Sequence, residues 1–141
     1  MISLLFTLSL QISAKEISLS FDDAPRGDYN YFPGAQRAEK IISSLKKLRV
    51  EQVIFYANPG KIKKDKEKYD RLLRYHKAGH LIGNHTFSHL SAKKVSSKDF
   101  ISDFQKADEY LGLIKVKSHY FRYPYLHRGE TKEKADQIRM A

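Results

Sequence analysis

The sequence predicts an α/β fold, a (β/α) barrel of which about four β/α units are present. Three observations lead to this fold class. After residue 15, strand-like and helix-like hydrophobic patterns alternate along the chain. Residues 52–57 form a short, nearly continuous apolar run, which is typical of a strand buried on both faces of a parallel sheet. Three polar clusters follow predicted strands, at the edge where (β/α) folds build their sites.

The first half of the chain contains two predicted strand–helix pairs. Residues 16–21 alternate apolar and polar side chains, which predicts a strand that ends in a polar loop. Residues 35–48 repeat apolar side chains at helical spacing, which predicts an amphipathic helix. Residues 52–57 are the second strand, and the Asn-Pro-Gly that follows ends it. The second helix is expected over residues 64–78 and ends at Gly79.

The second half repeats this alternation. Residues 80–85 are predicted to form the third strand. The third helix is expected over residues 97–111, because a serine pair precedes its apolar stripe and Gly112 follows it. A fourth strand is predicted at residues 118–123, and residues 131–141 are predicted to be the first part of a fourth helix.

The first 14 residues are apolar and end in a small residue, a pattern typical of a signal peptide cleaved after Ala14. No Lys or Arg precedes the apolar stretch, so a first buried strand and a start codon placed too late stay open as alternatives. The stretch is too short to span a membrane, and no other candidate span occurs. We therefore expect a secreted, periplasmic or cell-envelope protein. Residues 15–141 are expected to be one domain that is incomplete at its C-terminal end, since a whole barrel needs about 250 residues.

The composition excludes several classes of protein. A hydrophobic fraction of 41% and a charged fraction of 30% are ordinary for a globular chain, which argues against disorder. No cysteine occurs, so disulfides and thiolate metal sites are excluded. The net charge of +10 permits binding to nucleic acid or another anionic polymer, but charge alone supports that reading. The densest basic run, residues 61–68, mixes signs and is expected to be a solvated helix face, so no nucleic-acid partner is predicted.

Two histidines and one aspartate are the candidate metal ligands. His85 and His89 lie four residues apart, so on a helical turn both rings would face the same way. A surface pair that arises by chance is the alternative. Asp23, from another strand end, would complete a set of two imidazoles and one carboxylate. Such a set holds a divalent ion and leaves positions open for water and substrate.

Other polar residues lie beside this set in the sequence. Asp22 precedes the aspartate ligand, and an acidic pair often marks only a turn or a helix cap. Here the pair follows an apolar strand, so one carboxylate can face the ion and the other the reacting water. Arg122 is either a structural cation or the partner of the carboxylate that does not bind the ion. Pro124 and Tyr125 suit either a simple strand end or the wall of a cleft.

At these positions the sequence resembles the polysaccharide deacetylase family, the carbohydrate esterases with a NodB-like domain. That family carries the motifs T-F/Y-D-D, H-S/T-x-x-H and R-x-P-Y/F in this order. Here they correspond to residues 20–23, 85–89 and 122–125, each at the end of a predicted strand. Ser20 stands where the family usually has Thr, and Ala24 replaces a common Gly.

The resemblance implies a deacetylase-type barrel and a role for each matching position. Three positions would hold a divalent ion, usually zinc in this family: Asp23, His85 and His89. Asp22 would be the general base, and Arg122 would orient it. Pro124 and Tyr125 would help to form the substrate groove, and the backbone N–H of Tyr125 would face the oxyanion.

The reaction implied is hydrolysis of N-acetyl (or O-acetyl) groups on a sugar polymer, with an N-acetylated glycan as the partner. The family has two later motifs, one acidic and aromatic and one with a histidine that acts as general acid. Neither has a match before Ala141, and His127 does not occupy the position of that acid. We therefore expect a deacetylase that is active only if the rest of the barrel is supplied. The alternative is a non-catalytic remnant that folds poorly or binds glycan or metal without turnover.

Overall fold

A computed structural model describes residues 17–28 and 31–140, and the predicted signal peptide lies outside these residues. Three strands and four helices occur within the described residues: β1 (Ser20–Ala24), α1 (Gly34–Lys47), β2 (Ile54–Ala57), α2 (Lys66–Lys77), β3 (Leu81–Asn84), α3 (Ser97–Leu113) and α4 (Lys132–Arg139). Short 3-10 turns follow β2 at Pro59–Lys61 and precede α4 at Pro124–Leu126. The predicted α/β class is confirmed.

The strands form one parallel sheet in the order β1–β2–β3. The central strand, β2, pairs with β3 from Ile54 opposite Leu81 to Ala57 opposite Asn84. All four residues of β2 are buried, as its continuous apolar run predicts. Because the strands are parallel, their carboxyl ends meet at one edge of the sheet.

The hydrophobic core is centred on Phe55 of β2. Its ring stacks on Phe21 of β1 at a centroid distance of 4.9 Å and on Tyr75 of α2 at 3.9 Å. Leu72 of α2 and Leu111 of α3 are fully buried beside it. Burying a large apolar side chain stabilises the fold by roughly 1.5–3 kcal/mol, so this core fixes the sheet whose edge carries the polar loops.

The helices begin and end within two residues of their predicted limits at all seven ends that were predicted, and α4, for which no end was predicted, ends at Arg139. Three of them are preceded by a capping residue whose side chain accepts a hydrogen bond from the backbone N–H three positions later: Asp65, Ser96 and Thr131. A cap of this kind stabilises a helix by about 1 kcal/mol. Within the described residues, no helix combines the length and the apolar character needed to cross a membrane.

The first strand was predicted too early in the chain. It spans Ser20–Ala24 rather than residues 16–21. Ile17 is 84% exposed, although the alternation of residue types extends to it. The start of β1 is set by its pairing with β2, because β2 begins at Ile54 and the partner of Ile54 on β1 is Ser20.

The predicted fourth strand, residues 118–123, does not form. Phe121 makes a single parallel bridge to Asn84, the last residue of β3. Asn84 N donates to Tyr120 O at 2.7 Å, and Arg122 N donates to Asn84 O at 3.0 Å. One bridge is too short for a strand, but it brings Arg122 to the same sheet edge as the ends of β2 and β3.

Candidate metal centre

A β-bulge in β1 positions the two aspartates. Phe21 pairs with Phe55 and Ala24 pairs with Ala57, so Asp22 and Asp23 together lie opposite one residue of β2. Asp23 has a φ of 61°, in the left-handed region. The aspartates therefore lie inside the strand, and the prediction that they follow it is wrong. The bulge breaks the alternation of side chains, so neighbouring carboxylates reach the same site.

The two histidines come from an irregular loop after β3, residues 85–89 (the histidine loop), rather than from a helical turn. Thr86 and His89 have positive φ angles of 60° and 59°. The rings of His85 and His89 nevertheless lie edge to face, with centroids 5.0 Å apart. The predicted convergence of the rings is present, but its predicted helical cause is wrong. Two left-handed residues fold the chain back on itself instead.

Buried side chains hold this loop from several directions. Asn58 follows β2 directly and is fully buried. Its Nδ2 donates to His85 O at 2.6 Å and to Thr86 O at 3.2 Å. Thr86 N donates to Asn84 Oδ1 at 2.7 Å, and Ser88 N donates to Asp103 Oδ2 of α3 at 2.8 Å. Buried backbone groups that lack a regular ladder need such partners, and these bonds give the loop one conformation.

Asp23, His85 and His89 come together at this edge. One donor atom from each lies within 4.8 Å of the others. Asp23 Oδ1 lies 3.2 Å from His89 Nε2, which is about the spacing of two ligands in a tetrahedral site. Donor atoms bound at about 2.1 Å in a tetrahedral site are about 3.4 Å apart, so a pair separated by 4.8 Å would have to close by about 1.4 Å when an ion binds. Two nitrogen donors and one carboxylate oxygen fit zinc and similar divalent ions.

Hydrogen bonding prepares His85 to bind an ion. Its Nδ1 lies 2.8 Å from the backbone carbonyl oxygen of Arg122. A carbonyl oxygen only accepts, so Nδ1 must carry the proton, which leaves the lone pair of Nε2 free for a metal. His85 is 2% exposed, so this partner also fixes the plane of its ring.

The charges around Asp23 favour its ionised form. Burial acts to raise the pKa of Asp23, but the hydrogen bond from Arg26 and the charges of Lys61 and His89 outweigh it, so the pKa lies below its ordinary value. Burial lowers the pKa of His89, and the charge of His85 adds to that effect against the attraction of Asp23. Near neutral pH the aspartate is therefore charged and the histidine neutral, the forms that bind a metal.

Asp22 and Arg122 form an ion pair at the mouth of the site. Arg122 Nη1 donates to Asp22 Oδ1 at 3.1 Å. The guanidinium carbon also lies 4.5 Å from the centroid of the Tyr56 ring, which limits its movement. Asp22 is 42% exposed, so its second oxygen can reach a water or a substrate.

Tyr125 and Pro124 border the site in different ways. Tyr125 is 60% exposed and has a φ of 57°, and its ring contacts the His89 ring at a centroid distance of 4.6 Å. Pro124 is buried, so its side chain offers no surface to a large ligand. The structure thus leaves Tyr125 as the exposed wall, with Pro124 beneath it as part of the 3-10 turn.

Sequence reasoning missed four residues of this site. Two are buried and hold the histidine loop, and two are cations that contact Asp23: Asn58, Asp103, Arg26 and Lys61. Asn58 was interpreted only as the end of β2, and Lys61 only as part of a solvated run. Their roles depend on contacts between distant segments, which no local pattern encodes.

The sequence and the fold both match known deacetylases. The family model for polysaccharide deacetylase matches residues 10–139. A peptidoglycan-N-acetylglucosamine deacetylase from Bacillus cereus is 32% identical over 120 residues, which are 84% of this chain and 38% of that protein. A chitin deacetylase from Arthroderma benhamiae is 28% identical over 120 residues, 84% of this chain and 30% of that protein.

Solved structures agree on the fold. Peptidoglycan deacetylase PdaC from Bacillus subtilis superposes with a TM-score of 0.67 at 24% identity, over 89% of this chain and 56% of that one. A CE4 family pseudoenzyme from Bacillus anthracis gives a TM-score of 0.69 at 19% identity, over 91% of this chain and 41% of that one. Likeness of fold therefore does not separate active from inactive relatives. The chain spans about 30–40% of the length of the curated relatives that it matches.

Proposed function

This chain belongs to the polysaccharide deacetylase family, and from that premise we propose that it supplies the metal site and the general base of a metal-dependent hydrolase. The reaction is removal of acetyl groups from N-acetylated sugars of a polysaccharide or cell-wall glycan. The convergence of Asp23, His85 and His89 is the observation that carries this proposal. Three residues from two segments, β1 and the loop after β3, offer donor atoms to one point, and the hydrogen bond at His85 Nδ1 leaves Nε2 available there.

The ion expected at this point is zinc. Two imidazole nitrogens and one carboxylate oxygen are the donors that zinc accepts, and positions remain open for water and substrate. When bound, such an ion supplies Lewis-acid polarisation of water and of the acetyl carbonyl. Asp23 is the only charged ligand of the set, so it also offsets part of the charge of the ion.

Asp22 is proposed as the general base. It lies one residue from a metal ligand, it is partly exposed, and Arg122 holds one of its oxygens at 3.1 Å. The other oxygen is free to take the proton of the attacking water. General base catalysis of this kind contributes about 10²–10⁴ to the rate, so its loss should be measurable without any effect on folding.

Tyr125 is proposed to contact the glycan. Its exposed ring lies against His89, so a sugar that packs on this ring would lie beside the ion. Pro124 would act by holding the turn, and the backbone N–H of Tyr125 would stabilise the oxyanion. The names of the two curated relatives specify peptidoglycan N-acetylglucosamine and chitin, and this supports an N-acetylglucosamine polymer as the substrate.

Acetate release tests the proposal directly. The chain is purified with zinc and incubated with chitooligosaccharides and, separately, with peptidoglycan fragments. We expect acetate from at least one substrate, none after removal of zinc with a chelator, and at least a hundredfold loss in Asp22→Asn. No acetate from either substrate, with zinc bound to the folded chain, would support the alternative of a non-catalytic glycan- or metal-binding protein.

We also propose that the protein acts outside the cytoplasm, at the cell envelope or in the medium. The apolar start of the sequence is typical of a signal peptide, and the proposed substrates are extracellular polymers. Fractionation of expressing cells, with mass spectrometry of the mature N-terminus, tests this. Cleavage after Ala14 is expected, and an uncleaved chain confined to the cytoplasm would contradict it.

A further inference from the structure

Two cations contact the carboxylate of Asp23, one at each oxygen. Arg26 Nη2 lies 3.0 Å from Oδ2, on the outer side. Lys61 Nζ lies 3.4 Å from Oδ1, the oxygen that faces His89 Nε2 at 3.2 Å. The ammonium group of Lys61 therefore contacts the same oxygen that a metal would use.

The backbone of Lys61 is fixed relative to the histidine loop. Lys61 ends the 3-10 turn after β2, and Gly60 N in that turn donates to Phe87 O at 2.9 Å. A Cβ at position 60 would lie 2.5 Å from Phe87 O, so the turn and the loop approach as closely as a glycine allows. Lys61 Nζ also lies 3.3 Å from Oδ1 of Asn58, which is fully buried. The ammonium group is thus directed to the site by two oxygen acceptors.

We infer that Lys61 competes with a divalent metal for Asp23 Oδ1. This inference rests on the metal site of the proposed function. An ion bound to Oδ1 at about 2.1 Å would lie within about 6 Å of the ammonium group in its present position. The two like charges repel, so Lys61 must move into solvent or weaken the binding of the metal.

The cost of this competition is moderate, because the side chain of Lys61 is 49% exposed. Water and salt screen much of the repulsion at such a position. Removing the ammonium should therefore tighten metal binding by about tenfold, rather than by many orders of magnitude. Arg26 contacts only Oδ2 of Asp23. A metal bound through Oδ1 alone would therefore leave the contact of Arg26 in place.

The test measures zinc affinity without substrate, by competition with a chromophoric chelator at neutral pH. Lys61→Met is compared with the wild type and with Lys63→Met. Lys63 is the matched control, since it is an exposed lysine of the same segment and its loss changes the net charge equally. Lys61→Gln is measured as well, and circular dichroism checks that each variant is folded. We expect about tenfold tighter binding in both Lys61 variants and a change below about twofold in Lys63→Met.

Other results separate the two proposals. Equal affinity in the wild type and both Lys61 variants, or weaker binding in the variants, would overturn the competition. Equal tightening in Lys63→Met would also overturn it, because the effect would then be one of net charge. His85→Ala identifies the site: if it leaves zinc affinity unchanged, the metal site of the proposed function fails instead.

Discussion

Arg122 holds His85 through its backbone, with Nδ1 of the histidine 2.8 Å from the carbonyl oxygen of the arginine. The guanidinium of the same residue holds Asp22 at 3.1 Å. One residue thus orients a proposed metal ligand with its backbone and the proposed base with its side chain. These two functions can be separated by mutation, since a substitution removes the guanidinium and keeps the carbonyl.

Arg122→Ala should reduce deacetylation and leave metal binding intact. Without the guanidinium, Asp22 is no longer oriented, and we expect a loss of about 10²-fold in kcat/KM. The zinc affinity should stay within about twofold of the wild type, because the carbonyl still accepts from His85. Arg122→Lys keeps the positive charge but not the planar guanidinium. Its kcat/KM should therefore lie between those of the wild type and Arg122→Ala. A parallel loss of zinc affinity in Arg122→Ala would refute the separation.

Asn58→Ala should destabilise the fold and weaken metal binding together. The change removes the amide group that donates to His85 O and Thr86 O, so these buried carbonyl oxygens lose that hydrogen bond. We expect the free energy of unfolding to fall by about 1–3 kcal/mol in urea denaturation. Gln52→Ala is the control, because its hydrogen bond to Gly79 O is exposed and its loss should cost less than about 0.5 kcal/mol. Equal effects of the two substitutions would argue against the role of Asn58 in the loop.

Gly83→Ala should disturb the site from below. A Cβ at this position of β3 would lie 2.5 Å from the ring of Tyr56, which packs under the Arg122 guanidinium. Overpacking of this kind costs about 1–3 kcal/mol, and a displaced Tyr56 should also lower activity. Gly112→Ala in α3 is the control, since no atom of the described residues outside the helix's own backbone and the two chain neighbours lies within 4 Å of the added Cβ. The free energy of unfolding of Gly112→Ala should be up to about 1 kcal/mol higher than that of the wild type. An unchanged free energy of unfolding in Gly83→Ala would contradict the packing described.

The metal-free chain should lose stability as the pH falls below about 6.5. Burial lowers the pKa of His80 from its ordinary value of 6.5, and its buried Nδ1 has no hydrogen-bond partner within the described residues. Because the folded pKa is depressed, the unfolded chain binds more protons, so the stabilisation is present above about pH 6.5 and is lost on acidification. Burial lowers the pKa of His89 as well, and it adds to this fall.

Urea denaturation at pH 7.5 and 5.5, with a chelator present, measures this dependence. In His80→Phe the free energy of unfolding should fall less between pH 7.5 and 5.5 than in the wild type, because the ring that packs near Phe55 can no longer titrate. His76→Gln, at an exposed helix position, is the control substitution. An unchanged fall in His80→Phe would exclude His80 as its source.

The sequence predicts the helices and the central strand well, because their signals are local. Apolar residues at helical spacing define α1 to α3, and the continuous run of β2 reports burial on both faces. The bulge in β1 could not be predicted, since it depends on the register between Phe21 and Phe55 and between Ala24 and Ala57. The histidine loop could not be predicted either, because Asn58 and Asp103 hold it from distant segments.

The resemblance to a family found the site residues for a different reason. The motifs identify which side chains matter, but they carry no geometry. His85 and His89 were assigned to a helical turn, and the structure brings them together through two left-handed residues. Lys61 lies outside every motif, and only its distance to Asp23 Oδ1 shows that it belongs to the site.

Anomalous diffraction at the zinc edge, from crystals of the zinc-bound chain, tests whether Asp23, His85 and His89 bind one ion. We expect one strong peak, within about 2.0–2.3 Å of a carboxylate oxygen of Asp23, Nε2 of His85 and a ring nitrogen of His89. No peak among these three side chains, or zinc bound only at other histidines, would contradict it.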